Sequence, residues 1–280
     1  MLSLESIHSE NLFITQSRFR DVFEKEGAVE YLKKDYILTG GDWQGKKILP
    51  LRSRVPEASV LVLGDSDKEM TWLELQRIFA AGGYGEIWAT HHRRRFGPRV
   101  RTLPLGVPMD RHFGFPFDIL GDIEQLRSVF AKVSAPEPDS AKIMGAFSLK
   151  THPSRARLAE LLNDSTIGTM SDFPVTPQGR ESYLRKIRES GMVACPRGQG
   201  IDTYRFWETI YMGAIPIIIR PPKSYAQCIE GLPVIIVEQW SELANHSWVL
   251  SQYSKAQRSK PDFSKASLAF VVKEILQNSR

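Results

Sequence analysis

Short apolar runs alternate with segments of helical spacing along most of the 280-residue chain. Apolar runs bounded by glycine, proline or acidic residues predict buried strands, and apolar residues at helical spacing predict amphipathic helices. Predicted strands cover 59–63, 85–92, 100–108, 141–149, 191–196, 214–220 and 232–240. Helices are predicted for residues 18–34, 71–85, 151–164, 180–190 and 204–213, and from about residue 264 onward. This alternation is typical of an α/β protein with parallel sheets.

The segment SAPEPDS, residues 134–140, interrupts this pattern with prolines and acidic residues and is the best candidate for a linker. The strand and helix pattern restarts after it. We therefore predict two Rossmann-like domains that face a central cleft, an N-terminal acceptor-side domain over 1–135 and a C-terminal donor domain over 140–280. Ligands of such sheets bind outside the carboxyl ends of the strands.

The composition is that of a soluble globular protein, with 42% hydrophobic and 25% charged residues and a net charge of +5. Positive charge is concentrated between His91 and Arg101, where Arg93, Arg94 and Arg95 follow one another. The two cysteines give neither a disulfide framework nor a metal-ligand spacing. The N-terminus has no secretory signal, and no apolar window is long enough to span a bilayer. We expect a cytoplasmic protein, with contact at a membrane surface left open.

The stretch from Cys195 to Ile219 carries the strongest chemical signal. It predicts a strand end, a glycine-rich turn, a helix and then a buried strand. Gly198 and Gly200 lack a Cβ, so the backbone can approach a ligand closely. The turn leads into a helix N-terminus, where unsatisfied N–H groups favour anions.

Three charged residues lie at this turn and along its helix: Arg197, Arg205 and Glu208. Arginine suits phosphate and glutamate suits ribose hydroxyls, so together they predict a site for a nucleoside diphosphate. The competing interpretation of Arg205 and Glu208 is an i, i+3 ion pair on an exposed helix face. Cys195 is expected to be a buried small hydrophobe rather than a nucleophile.

The stretch resembles the C-terminal signature of exostosin-type glycosyltransferases, which have the GT-B fold. That signature runs from a strand through Cys-Pro-x-Gly to an arginine, a glutamate and a Gly-x-Ile-Pro strand. The segments GEIWATHH, TLPLGVP and GAFSLKTHPSRARL show weaker similarity to related proteins. The signature positions are held here by Cys195, Pro196, Gly198, Arg205, Glu208, Gly213, Ile215 and Pro216.

The resemblance implies that this region binds a nucleotide-sugar donor, with Glu208 at the ribose hydroxyls and Arg205 with the glycine turn at the diphosphate. Lys150 and Arg155 flank a helix start after a strand, a usual place for phosphate contacts. The predicted donor-binding residues are Arg197, Gly198, Gly200, Asp202, Thr203, Arg205, Glu208, Lys150 and Arg155.

The predicted catalytic residues are Asp67, Asp65 and His91, all of which follow strands of the first half. An aspartate or a histidine there could deprotonate an acceptor hydroxyl. The Asp65/Asp67 pair could instead hold a divalent metal, although no metal site is predicted. Arg93, Arg94 and Arg95 are the predicted acceptor-binding residues, for an acidic acceptor or a lipid-linked phosphate.

These observations predict a glycosyltransferase for polysaccharide biosynthesis that moves a hexosyl or related group from a nucleoside-diphosphate sugar to a glycan or lipid-linked hydroxyl. Metal independence is expected, and the resemblance implies inversion. No cofactor beyond the nucleotide-sugar co-substrate and no nucleic-acid partner is expected. The alternatives are a metal-dependent transferase and a non-enzymatic module that binds acidic polymers through the Arg93–Arg101 patch. A third alternative, a Rossmann-type dinucleotide enzyme, is disfavoured because the sequence lacks the glycine fingerprint that such enzymes carry after the first strand.

Overall fold

The computed structural model describes residues 2–25, 29–33, 60–64, 69–81, 84–92, 97, 99–108 and 115–277. Within these ranges the strands form two sheets, and every strand pair is parallel. The first sheet has the order β1-β2-β3-β4 and the second β6-β5-β7-β8-β9. The strands are β1 Val29–Lys33, β2 Val60–Gly64, β3 Glu86–Ala89, β4 Val100–Thr102, β5 Lys142–Gly145, β6 Gly168–Met170, β7 Gly191–Ala194, β8 Ile215–Ile219 and β9 Ile235–Val237.

Helices flank both sheets, which confirms the predicted α/β class with two Rossmann-like parallel sheets facing a cleft. We call the sheet β1–β4 with its helices the first lobe, and the sheet β5–β9 with its helices the second lobe. The α-helices of the described residues are α1 Leu4–Ser9, α2 Gln16–Phe23, α3 Trp72–Ala81, α4 Phe117–Leu120, α5 Ile123–Lys132, α6 Ser154–Asn163, α7 Pro177–Ser190, α8 Tyr204–Tyr211, α9 Lys223–Cys228, α10 His246–Arg258 and α11 Leu268–Gln277.

The predicted helix over 18–34 is wrong in its second part. Helix α2 ends at Phe23, and residues 29–33 form β1, which pairs in parallel with Val60–Gly64. Burial of Val29 and Leu32 against that neighbour outweighs the helical spacing of a short segment. Glu30 is also buried, and its carboxylate accepts a hydrogen bond from the hydroxyl of Tyr84.

The strand order of the second sheet fixes where a ligand can enter. The chain passes from β5 outward to β6 and then returns to β7 on the other side of β5. The segments that follow β5 and β7 therefore diverge and leave a crevice at the carboxyl ends of the strands, which is the usual ligand position in such sheets. In the first sheet the described strands follow chain order and form no such switch.

One hydrophobic core cluster spans both lobes, because the N-terminal segment packs on the second lobe. The ring of His8 stacks on Phe130 with centroids 3.7 Å apart, and its Nε2 lies 2.6 Å from the carbonyl oxygen of Tyr211. The hydroxyl of Tyr211 accepts a hydrogen bond from the N–H of Ile14 at 3.0 Å. Among the described residues, no helix has the length and apolarity required to cross a bilayer.

Candidate functional site

A cleft of about 800 Å³ lies at the switch point of the second sheet. Its walls are the segments that follow β5, β6 and β7, together with one face of α7 and of α8. Leu105 and Pro108 of the first lobe close one side. Seven of the nine predicted donor-binding residues line this cleft: Arg155, Gly198, Gly200, Asp202, Thr203, Arg205 and Glu208.

The glycine turn, residues 195–203, joins β7 to helix α8. Thr203 begins the helix as its N-cap, since its side chain accepts a hydrogen bond from the N–H of Phe206. Arg155 holds the turn from the side of α6 by donating to the carbonyl oxygens of Arg197 at 2.9 Å and Pro196 at 3.3 Å. Burial, with a smaller contribution from the charge of Arg205, lowers the pKa of Arg155 to about 10. Arg155 is therefore a brace for the turn as well as a positive charge beside the cleft.

Glu208 lies on the floor of the cleft and is paired with α7. Nη1 of Arg180 donates to Oε1 at 2.5 Å, and the hydroxyl of Tyr183 donates to Oε2 at 2.7 Å. The side chains of Arg180 and Glu208 are 3% and 5% exposed. An exposed i, i+3 pair between Glu208 and Arg205 is therefore excluded. Sequence reasoning missed Arg180 and Tyr183, although their i, i+3 spacing puts them on one face of a predicted helix.

The charge of Arg205 is not matched by any acidic side chain within ion-pair distance among the described residues. Its guanidinium carbon lies 5.7 Å from the ring centroid of Phe147, and that of Arg155 lies at the same distance. Nε of Arg205 is buried and has no hydrogen-bond partner in the described part of the chain. Two guanidinium groups near one ring, with no acidic side chain of the described residues paired to either, suit an anion.

The two glycines of the turn differ in whether the packing of the protein requires glycine at their position. Neither adopts a positive φ, so the turn itself does not require glycine at either position. A Cβ on Gly200 would lie 2.4 Å from the ring of His91, closer than real contacts allow. A Cβ on Gly198 would meet its nearest atom, Nη2 of Arg155, at an ordinary 3.4 Å. The protein's own packing thus requires glycine at 200 but not at 198, where the cleft is the remaining neighbour.

His91 and Asp202 form the contact between the turn and the first lobe. His91 is only 2% exposed, and its Nδ1 accepts a hydrogen bond from the N–H of Asp202 at 3.3 Å. The carboxylate of Asp202 is also buried, and one of its oxygens accepts a hydrogen bond from the N–H of Leu105 at 2.8 Å. Burial raises the pKa of Asp202 to about 6, against the opposing effect of its hydrogen bonds.

The other predicted residues are more scattered. Arg197 forms an ion pair with Glu69 of the first lobe, and Lys150 is exposed on the segment after β5. Cys195 is buried, which raises the pKa of its thiol to about 12, as expected of an unreactive cysteine. No group of histidine, cysteine or acidic residues in the described ranges could hold a metal ion. The predictions for Asp65, Asp67, Arg93, Arg94 and Arg95 fall outside the described residues.

Comparison with known proteins adds little to this geometry. No model of a protein family matches the sequence. A search of curated proteins found no match either. Among solved structures, the chain is similar to a crystal structure of an alpha1,3-fucosyltransferase, with a TM-score of 0.45 and 10% sequence identity over 80% of this chain and 78% of that chain. A similarity of this size carries no argument about what the chain binds, and the resemblance to exostosin-type enzymes stays a prediction.

Proposed function

We propose that the protein is a glycosyltransferase of GT-B type that takes a sugar from a nucleoside-diphosphate donor bound in the switch-point cleft. The observation that carries the proposal is the unmatched charge of Arg205 beside the buried carboxylate of Glu208. A diphosphate supplies the anion that Arg205 lacks, and ribose hydroxyls can donate to the remaining lone pairs of Glu208. A nucleoside diphosphate meets both requirements in one ligand.

The donor would lie along the cleft with its diphosphate at the glycine turn. Gly198 leaves room for close approach of phosphate oxygens to the backbone, and the N-terminus of α8 adds favourable partial charge. Arg155 and Arg205, whose guanidinium groups both lie near the ring of Phe147, would neutralise the diphosphate. The base would extend toward Tyr183 and the segment after β6, where the walls are partly apolar.

The proposed reaction breaks the bond between the anomeric carbon and the diphosphate oxygen while the acceptor hydroxyl oxygen bonds to that carbon. The departing diphosphate takes the electron pair and gains stabilisation from Arg205 and the helix N-terminus. The hydroxyl proton passes to a base of the first lobe, for which Asp65, Asp67 and His91 are the candidates. Attack from the face opposite the leaving group inverts the anomeric centre.

The acceptor is proposed to be a glycan or lipid-linked hydroxyl compound that enters from the first-lobe side. Arg93, Arg94 and Arg95 would contact an acidic or phosphorylated part of it. Divalent metal is not required in this scheme, because guanidinium groups neutralise the leaving diphosphate. Transfer in the presence of a chelator should therefore equal transfer with added magnesium.

A thermal-shift panel of ADP, GDP, UDP, CDP and inorganic pyrophosphate tests the donor site. At least one nucleoside diphosphate should stabilise the wild type, by about 2.7 kcal/mol when its concentration is a hundred times Kd. The Arg205→Gln variant should lose at least half of that stabilisation. Glutamine at this position removes the positive charge and leaves no carboxylate unpaired, since no acidic side chain in the described ranges pairs with Arg205.

The matched control is Arg157→Gln, a substitution of an exposed arginine on α6 that forms an ion pair with Glu160 at 3.1 Å. It should leave the nucleotide response unchanged. If no nucleoside diphosphate stabilises the wild type, the proposal is wrong. An equal response in the Arg205→Gln and Arg157→Gln variants would remove the assigned diphosphate site while leaving nucleotide binding elsewhere to be located.

A further inference from the structure

The carboxylate of Asp202 has an unusually complete set of hydrogen-bond donors. Oδ1 accepts from the N–H of Thr203 at 2.8 Å, from the hydroxyl of Tyr225 at 2.7 Å and from Nε1 of Trp207 at 2.9 Å. Oδ2 accepts from Nε1 of Trp207 and from the N–H of Leu105, each at 2.8 Å. Asp202 is 4% exposed, so these groups and not water satisfy it. A carboxylate with both oxygens occupied in this way has little capacity left for a ligand.

One of these donors belongs to the other lobe. Leu105 lies 97 positions earlier in the chain, on the segment that leaves β4, and is itself held in place from two directions. Its carbonyl oxygen accepts a hydrogen bond from the side chain of Gln16 at 3.0 Å, and Leu103 nearby donates to the carbonyl oxygen of Ala89 at 3.0 Å. The Leu105 N–H is therefore a fixed point of the first lobe.

His91 adds a second contact between the same turn and the same lobe. Its ring packs against Gly200 so closely that a Cβ would lie 2.4 Å from it, and its Nδ1 accepts the N–H of Asp202. Both the backbone and the side chain of Asp202 are thus bonded to the first lobe. The first lobe thus contacts the turn at residues 200 and 202, which lie between Gly198 and Arg205 in the chain.

We propose that Asp202 is a positioning residue, whose buried carboxylate fastens the glycine turn of the second lobe to the Leu105 amide of the first and thereby sets the turn geometry that nucleotide binding requires. The first lobe would then contribute to donor binding without touching the nucleotide. The contacts alone support the attachment of the turn to the first lobe, whereas its consequence for nucleotide binding rests on the function proposed above. The test has separate measurements for the two parts.

Amide hydrogen exchange in the ligand-free protein measures the fastening. In Asp202→Asn, an amide nitrogen replaces one acceptor oxygen and faces a donor, so the exchange of the Leu105 N–H and of residues 198–203 should accelerate at least about tenfold. Exchange in β5 should stay unchanged. The control is Asp139→Asn, at an exposed aspartate of the linker region. Unchanged exchange at Leu105 and in the turn would overturn the proposal.

Titration with the most stabilising nucleoside diphosphate of the panel measures the consequence, well below the melting temperature of either variant. Asp202→Asn should raise Kd about tenfold, and Asp139→Asn should not change it. Faster exchange with an unchanged Kd would overturn the positioning role and reduce Asp202 to a structural residue. If the wild type binds no nucleoside diphosphate, the proposed function fails, and the exchange experiment still decides the fastening.

A second variant keeps the proposal testable if Asp202→Asn does not fold. His91 has φ of 54°, a left-handed conformation that asparagine tolerates, so His91→Asn preserves the backbone while removing the ring from behind Gly200. Exchange over 198–203 should again accelerate, with Leu105 less affected because its own bond to Asp202 remains. Unchanged exchange over 198–203 in this variant would contradict the role of the first lobe in holding the turn.

Discussion

The two faces of the glycine turn differ in how completely they are satisfied. On the cleft face, Gly198 has space for a side chain that it does not carry, and Nε of Arg205 has no partner among the described residues. Toward the first lobe, a Cβ on Gly200 has no space because of the His91 ring, and the carboxylate of Asp202 accepts hydrogen bonds on both oxygens. The turn and the first residues of α8 thus join the lobes on one side and present an open, charged surface on the other. The polar group that lacks a hydrogen-bond partner lies on the face that we expect a ligand to cover.

The largest expected effect concerns the floor of the cleft, where the charge of Glu208 is matched inside the protein. Arg180→Met should cost about 3–5 kcal/mol of unfolding free energy, because it leaves a buried carboxylate without its cation. Urea denaturation measures the change. Adding Glu208→Gln to the same variant should recover most of it. Arg185→Met, on the exposed side of the same helix, should cost no more than about 0.5 kcal/mol, and a similar cost for both variants would contradict the pairing.

The next effect concerns the joint face and depends on pH. The pKa of Asp202 is raised in the folded protein from 3.8 to about 6, so the folded state takes up a proton more readily than the unfolded state between these values. The unfolding free energy of the wild type, relative to Asp202→Asn, should therefore increase by about 2 kcal/mol as the pH falls from 7 to 4.

Comparison with Asp202→Asn at each pH is needed because His8 acts in the opposite direction. Burial lowers the pKa of His8 to about 4, so its contribution to stability is lost as the pH falls from 6.5 toward that value. Since His8 is present in both proteins, its effect cancels in the difference. A difference that does not vary with pH would show that Asp202 keeps its ordinary pKa.

Gly200→Ala should have an intermediate effect. The added methyl must displace the buried ring of His91, which should cost about 1–3 kcal/mol by urea denaturation. The double variant Gly200→Ala/His91→Ala frees the space, so the two costs should be less than additive by at least about 0.5 kcal/mol. Strict additivity would mean that the methyl and the ring do not compete.

Gly198→Ala should have the smallest effect on folding. Its Cβ meets ordinary contacts, so the unfolding free energy should change by no more than about 0.5 kcal/mol. The same methyl stands where the phosphates are proposed to approach, and nucleoside diphosphate affinity should fall at least about tenfold. Unchanged affinity in Gly198→Ala would place the diphosphate away from the turn.

Much of the fold could be predicted because the parallel strands are continuous apolar runs that end in glycine, proline or charge. The segment 215–219 is one example, and its strand begins and ends within a residue of the predicted run. Strand β1 could not be predicted in the same way, since its identity depends on burial against β2 rather than on its own spacing. Strand β6 was also missed, because Gly168–Met170 is too short and too polar to form an apolar run.

Only the part of the site that lies in one continuous stretch of sequence could be predicted from residue types. Arg205, Glu208 and the glycines lie within that stretch, and their chemistry could be interpreted locally. The ion pair of Glu208 with Arg180 could not, because it joins two helices 28 positions apart. The distinction between Gly198 and Gly200 depends on His91, which only the packing of the first lobe brings to the turn.

The shared core has a consequence for handling the chain in pieces. The N–H of Leu2 donates to the carboxylate of Asp262 at 3.1 Å, and the N–H of Phe263 donates to the carbonyl oxygen of Leu2. Hydrogen bonds therefore join the first and last parts of the described chain. Residues 134–140, by contrast, are largely exposed. We expect the two fragments produced by a single proteolytic cut there to stay associated, because both contribute side chains to the core cluster that spans the lobes.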